Sequence, residues 1–226
     1  MYITVDGYDG TGKTTLAKKI AQKYNFVYLD KPFIRMIQMQ YACSFDEAVQ
    51  IAEKKERKLY AEATKVEKVR FYCDAFLWLK QFQSRCNIVL DRGILTTYAV
   101  FGDKETEEVF DYYILNGAFF DISIYLAAKD EERVRRIYEN DPNDPDLKHP
   151  VKWRENNLEE YATTRSLNFH KISTDNKTRE EVFEEALEIL KKYVQKEWQN
   201  WKIIVMLYRA MKRRRCVFIS FFVLNI

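Results

Sequence analysis

The chain opens on a short apolar and β-branched run, Tyr2-Ile3-Thr4-Val5, which reads as a buried strand. A glycine-rich stretch follows. Leu16, Ile20 and Tyr24 then recur on one helical face. Further strand-like runs lie at 26–29, 88–90, 121–126 and 168–173. Between them the pattern predicts helices over about 46–83, broken once near 57–63, and over 104–115, 131–139 and 152–166. A last helix is expected from Thr178 to about Lys196. Ser44 with Glu47, and Thr178 with Glu181, have the spacing of capping boxes. Asn116-Gly117 closes the helix before it. Strands alternating with helices in this way predict an α/β fold, a parallel sheet with helices on both faces.

The helix expected before residue 83 carries Phe71, Tyr72, Phe76, Leu77, Trp78, Leu79 and Phe82. That is more than one stripe, so the helix is expected to be buried on two sides. Pro32 stops the second strand at the edge where an open parallel sheet places its ligands. Residues 140–146, with two prolines and three aspartates, exclude regular structure.

The stretch Gly7-Tyr8-Asp9-Gly10-Thr11-Gly12-Lys13-Thr14-Thr15 fits G-x-x-x-x-G-K-[ST] without mismatch, and it joins a strand to a helix. Gly7, Gly10 and Gly12 let the backbone wrap closely, so that the N–H groups of Thr11 to Thr15 and the helix N-terminus point at a polyphosphate. Lys13 would reach the β- and γ-phosphates, and the Thr14 hydroxyl would sit on Mg²⁺. A plain connecting turn would explain the glycines but not Lys13-Thr14 at this offset. Binding of ATP with Mg²⁺ is the expectation.

A second signal is Ile88-Val89-Leu90-Asp91-Arg92-Gly93, an apolar strand that delivers a carboxylate to the ligand edge. Asp91 is suited to hold Mg²⁺ directly or through water. Arg92 can fork onto a phosphate with two parallel hydrogen bonds.

Composition places the 226 residues, 47% apolar and 31% charged, among single globular domains. Six basic residues and no acid follow Glu197; taking them from the formal +3 leaves the first 197 residues at −3. That body carries no nucleic-acid footprint. The four cysteines have neither metal nor disulfide spacing, and with a first strand that begins at Tyr2 they suggest a cytoplasmic protein. A catalytic body over 1–197 and an extension over 198–226 are expected. In the extension, Lys212 to Arg215 precede a nine-residue apolar run, too short to span a membrane. Contact with an anionic membrane surface suits it chemically, but an additional packed or appended element is the preferred reading.

From residue 1 to about 195, the order of these pieces resembles the thymidylate kinase family of nucleoside-monophosphate kinases, whose phosphate loop is a P-loop. The matching pieces are the loop with Asp9, the Asp91-Arg92 pair and the strand at 121–126 with the helix ending near Arg136. Tyr161 and Ile172-Ser173-Thr174-Asp175 complete the match. The resemblance implies a three-layer P-loop fold with a five-stranded parallel core and a short lid at about 138–152. It implies transfer of the ATP γ-phosphoryl group to a nucleoside monophosphate, usually dTMP, and a homodimer. Asp9 would bind the acceptor sugar hydroxyl, Arg92 the acceptor phosphate and Phe71 the base, with Tyr161 on the sugar side.

The chain departs from that family in three places. Asp30-Lys31-Pro32 stands where Arg-Glu-Pro is usual; Lys31 still faces a phosphate as a point charge. Cys73-Asp74-Ala75 stands where a base-reading arginine is expected, and a carboxylate cannot donate to thymine O4. Either Asp74 points away and Gln81, Gln83 or water reads the base, or the protein accepts bases with an exocyclic amine. The lid stretch 140–146 lacks arginine, which leaves Arg133, Lys148, Lys152 or Arg154 to approach the phosphates. Two alternatives stand beside this reading: a deoxynucleoside kinase with Asp30 or Asp91 as general base, and a P-loop module that binds nucleotide without catalysis.

Overall fold

The computed structural model describes residues 1–82, 86–118, 120–144, 147 and 155–194. Gln83, Lys148, Lys152, Arg154 and the extension 198–226 lie outside these residues, as does part of the expected lid. The chain divides into two compact units, Met1–Glu185 and Ala186–Ile226, and the site lies in the first.

Five parallel strands form one sheet in the order β2-β3-β1-β4-β5: β1 Tyr2–Gly7, β2 Val27–Asp30, β3 Ile88–Asp91, β4 Ile122–Ala127 and β5 Phe169–Ser173. The three inner strands are buried along their whole length, as a sheet covered on both faces requires. Ile3, Val5 and Val89 are fully buried, each worth about 1.5–3 kcal/mol relative to exposure. Both flanks of β1 are parallel neighbours, and its register sets Val5 beside Asp91 on one side and Ile124 on the other. Because β1 is central, the loop that leaves it emerges at the middle of the carboxyl edge.

The helices are α1 Lys13–Tyr24, α2 Pro32–Gln40, α3 Phe45–Glu62, α4 Lys65–Leu79, α5 Ile94–Phe101, α6 Glu107–Leu115, α7 Asp130–Asn140, α8 Glu155–Thr164 and α9 over 179–194. The α/β class and the five-stranded parallel core expected from the sequence are both present. Several helix boundaries differ from the pattern. The break in the long helical stretch falls at Ala63-Thr64, at the end of the expected region, where Thr64 and Glu67 form a second capping box. Pro32 opens α2 at its first turn rather than only ending a strand. Helix α5 has no counterpart in the pattern, which assigns no element to 94–101; its residues Ile94-Leu95-Thr96-Thr97-Tyr98-Ala99-Val100-Phe101 are rich in β-branched and aromatic types that favour strands.

Helix α5 wins because its first turn is tied down. The buried Asp6 carboxylate accepts from the Gly93 and Thr96 N–H groups at 2.8 and 2.9 Å and from the Thr96 hydroxyl at 2.7 Å. Its other oxygen accepts from Ser123 of β4 at 2.8 Å. A carboxylate at a helix N-terminus satisfies donors that the helix itself cannot. One side chain thereby locks β1, β4 and the turn after β3 directly beneath the phosphate loop.

Candidate active site

The loop between β1 and α1 encloses a concave site. Gly10 and Gly12 have φ of 80° and 93°, where a side chain is strained, and a Cβ at Gly10 would lie 2.7 Å from the Arg133 carbonyl oxygen. Gly12 is the N-cap of α1 and no side chain caps that helix, so its first N–H groups remain available to an anion. They open onto a cavity of about 730 Å³ lined by Asp9 to Leu16 and Arg92, by α7 and by the turn that enters α9. This volume suits a nucleotide.

Lys13 is 4% exposed, and its Nζ donates to the Tyr8 carbonyl at 2.5 Å. Burial, and next the Arg92 guanidinium, lower its pKa to about 8, while Asp9 and Asp91 pull it back up. Arg92 pairs with Asp9 Oδ1, and Lys13 Nζ lies 3.6 Å from that same oxygen. Arg92 itself has φ of 73°, an uncommon conformation for a residue with a side chain, and its side chain is half exposed to the cavity.

Thr14 donates to Asp91 Oδ2 at 2.6 Å. The second oxygen, Oδ1, is buried without a hydrogen-bond partner. An orphaned carboxylate oxygen is costly unless something positive is to occupy the site, and its proximity to a threonine hydroxyl fits Mg²⁺.

The structure gathers Asp9, Gly10, Thr11, Gly12, Lys13, Thr14, Thr15 and Arg92 around one cavity, with Gly7 buried at the loop base and Asp91 beneath Thr14. Lys31, Phe71, Tyr161 and Arg133 are not in its lining. Lys31 is an exposed N-cap of α2 with φ of 46°. Phe71 packs on Phe33, ring centroids 4.1 Å apart, in the α2–α3–α4 cluster. Tyr161 is a core ring stacked on Tyr98 at 3.9 Å, and its hydroxyl donates to Asp111 at 2.9 Å. Arg133 is buried behind the loop, where its Nε donates to the Asp9 carbonyl at 2.9 Å and its guanidinium lies over Tyr8.

Sequence reasoning passed over the charged wall opposite the loop. Arg135, Arg136 and Glu132 of α7, Lys177 before α9 and Arg179 at its start line the cavity. Arg136 donates to the Thr174 hydroxyl and carbonyl, both at 2.9 Å, and to the Gly10 carbonyl at 3.4 Å. The hydrogen bond from Arg135, then that from Arg136, holds the Glu132 carboxyl at about 2. The basic run Arg133 to Arg136 was visible, but which of its members faces the loop depends on how α7 docks.

Asp74 is also placed. Tyr113 of α6 donates to its Oδ1 at 2.6 Å. Gln81 lies in the short 3₁₀ turn after α4 and donates to the Trp78 carbonyl at 3.0 Å.

The architecture is a three-layer α/β P-loop fold. No family model matches the chain. It is similar to the thymidylate kinase from Ehrlichia chaffeensis (TM-score 0.52, 19% identity, 84% of this chain and 98% of that one). It is also similar to the thymidylate kinase from Candida albicans (TM-score 0.51, 14% identity, 84% and 91%). A gluconokinase from Sinorhizobium meliloti 1021 shares the fold as well (TM-score 0.51, 13% identity, 88% and 96%). In sequence, a cytidylate kinase from Fusobacterium nucleatum is 25% identical over 165 residues, 60% of this chain and 68% of that protein. Among the described residues, no helix is long and apolar enough to cross a membrane.

Proposed function

We propose that this protein transfers the γ-phosphoryl group of ATP to a nucleoside monophosphate, with dTMP or a related deoxynucleotide as acceptor. The observation that carries this reading is the convergence of Lys13, Arg92 and the uncapped start of α1 on one nucleotide-sized cavity, beside the Thr14–Asp91 pair. Phosphoryl transfer asks a protein for alignment and charge neutralisation, and these groups supply both. The loop N–H groups and Lys13 hold the β- and γ-phosphates. Arg92 holds the acceptor phosphate once Asp9 releases it. Thr14 and Asp91 would hold Mg²⁺, which when bound neutralises charge on the phosphates.

A monophosphate acceptor is favoured over a nucleoside because both carboxylates that the sequence offers as general base are engaged by protein donors. Asp91 accepts from Thr14 and Tyr28, and Asp30 accepts from Arg35 at 3.3 Å. The likeness in sequence to a cytidylate kinase supports a nucleotide acceptor over a sugar acid. A panel of nucleosides and their monophosphates with Mg-ATP, scored for ADP release, tests this. Release only with monophosphates is expected; release only with nucleosides would refute the acceptor assignment.

A further inference from the structure

Tyr28 lies on β2, at the edge of the sheet, and the sequence marks it as no more than a strand residue. Its hydroxyl nevertheless donates to Asp91 Oδ2 at 3.2 Å, the same oxygen that takes the Thr14 hydroxyl at 2.6 Å. In the β2–β3 register Tyr28 lies beside Val89 and Asp30 beside Asp91, so the phenol reaches along the strand pair to the end of β3. Lys18 of α1 lies over its ring, with Nζ 5.4 Å from the centroid.

The consequence for Asp91 is a division of labour between its oxygens. Oδ2 is spent on two protein hydroxyls, while Oδ1 is buried with no partner. A lysine in place of Tyr28 would neutralise the carboxylate and repel a cation. A hydroxyl orients it and leaves its full charge. Resting on the reading of Thr14 and Asp91 as the cation-holding pair, we propose that Tyr28 is a positioning residue for that site, fixing the Asp91 carboxylate beside the Thr14 hydroxyl in the orientation in which the pair would hold a divalent cation. Such outer partners commonly set metal affinity by tenfold or more, since a carboxylate free to rotate must be ordered by the metal itself.

The test uses Mn²⁺ as probe, titrated into the full-length protein saturated with a non-hydrolysable ATP analogue and followed by electron paramagnetic resonance. Wild type, Tyr28→Phe and Asp91→Asn are compared, together with metal-free analogue binding and thermal melting. Tyr28→Phe should weaken Mn²⁺ binding by about tenfold while leaving the melting temperature and metal-free analogue affinity at wild-type values. Asp91→Asn should weaken Mn²⁺ binding at least as much. Wild-type Mn²⁺ affinity in Tyr28→Phe, with Asp91→Asn weakened, would overturn the role of Tyr28 alone. Equal losses of metal-free analogue affinity and Mn²⁺ affinity in Tyr28→Phe would reduce that residue to packing and overturn it too. Unchanged Mn²⁺ binding in Asp91→Asn would sink the underlying assignment of Asp91.

Discussion

Arg92 and Asp9, 83 residues apart in the chain, form an ion pair across the mouth of the phosphate loop. The guanidinium is held by the loop's own acid. Lys13 leans on the same carboxylate oxygen at 3.6 Å. One carboxylate is thus shared by two cations, and a phosphate entering the site would compete with it for both.

That balance has a pH signature. Lys13 sits at about 8 instead of 10.5, so between these values the folded nucleotide-free protein binds fewer protons than the unfolded chain. Its stability, as far as this group is concerned, rises as pH climbs from about 8 towards 10.5. Polyphosphate favours the charged ammonium and draws the pKa back up. Titration calorimetry of ATP binding at pH ~9, in buffers of different ionisation enthalpy, should show uptake of up to about one proton, and almost none at pH ~6.5. Heats independent of buffer at the higher pH would refute the assignment.

Arg92→Lys keeps the charge and loses the fork. The left-handed backbone at this position is no harder for lysine than for arginine. Turnover of a monophosphate should fall by about ten- to a hundredfold, with a much smaller loss on any nucleoside accepted. Equal losses on both acceptors would mean that Arg92 does not touch the acceptor phosphate.

Asp6→Ala should act on stability. It orphans two backbone N–H groups and two hydroxyls beneath the loop. The cost is expected to be about 3 kcal/mol or more, read from the urea midpoint at constant slope. A loss below about 0.5 kcal/mol would show that α5 does not need this anchor.

Asp74 bears on base choice. With Tyr113 holding its carboxylate, Asp74→Ala should change the ratio of kcat/KM between any two deoxynucleoside monophosphates by less than about threefold, under 1 kcal/mol. In the wild type, dTMP should not be preferred over the others by the margin that a buried arginine donor would give. Competition among the four decides both points, and a thousandfold preference for dTMP would contradict the second.

Much of this protein is legible from its residues alone because the relevant interactions are short in sequence. The phosphate loop is nine residues whose glycines, lysine and threonine fix their own geometry, and the capping boxes at Ser44 and Thr178 close within three residues. Parallel strands betrayed themselves as apolar runs because both faces of the sheet are covered. What only the tertiary structure decided is which distant side chains meet. Strand-like Ile94 to Phe101 becomes helix because Asp6, some 90 residues earlier, caps it. Tyr161 is drawn into the core by Tyr98 and Asp111, and Arg136 rather than Arg133 faces the cavity because α7 docks with Arg133 against Tyr8. Tyr28 reaches Asp91 only because β2 pairs with β3 in one register. A parallel sheet brings its strand ends together through long crossovers, so its edge is assembled from segments whose neighbours no local pattern can specify.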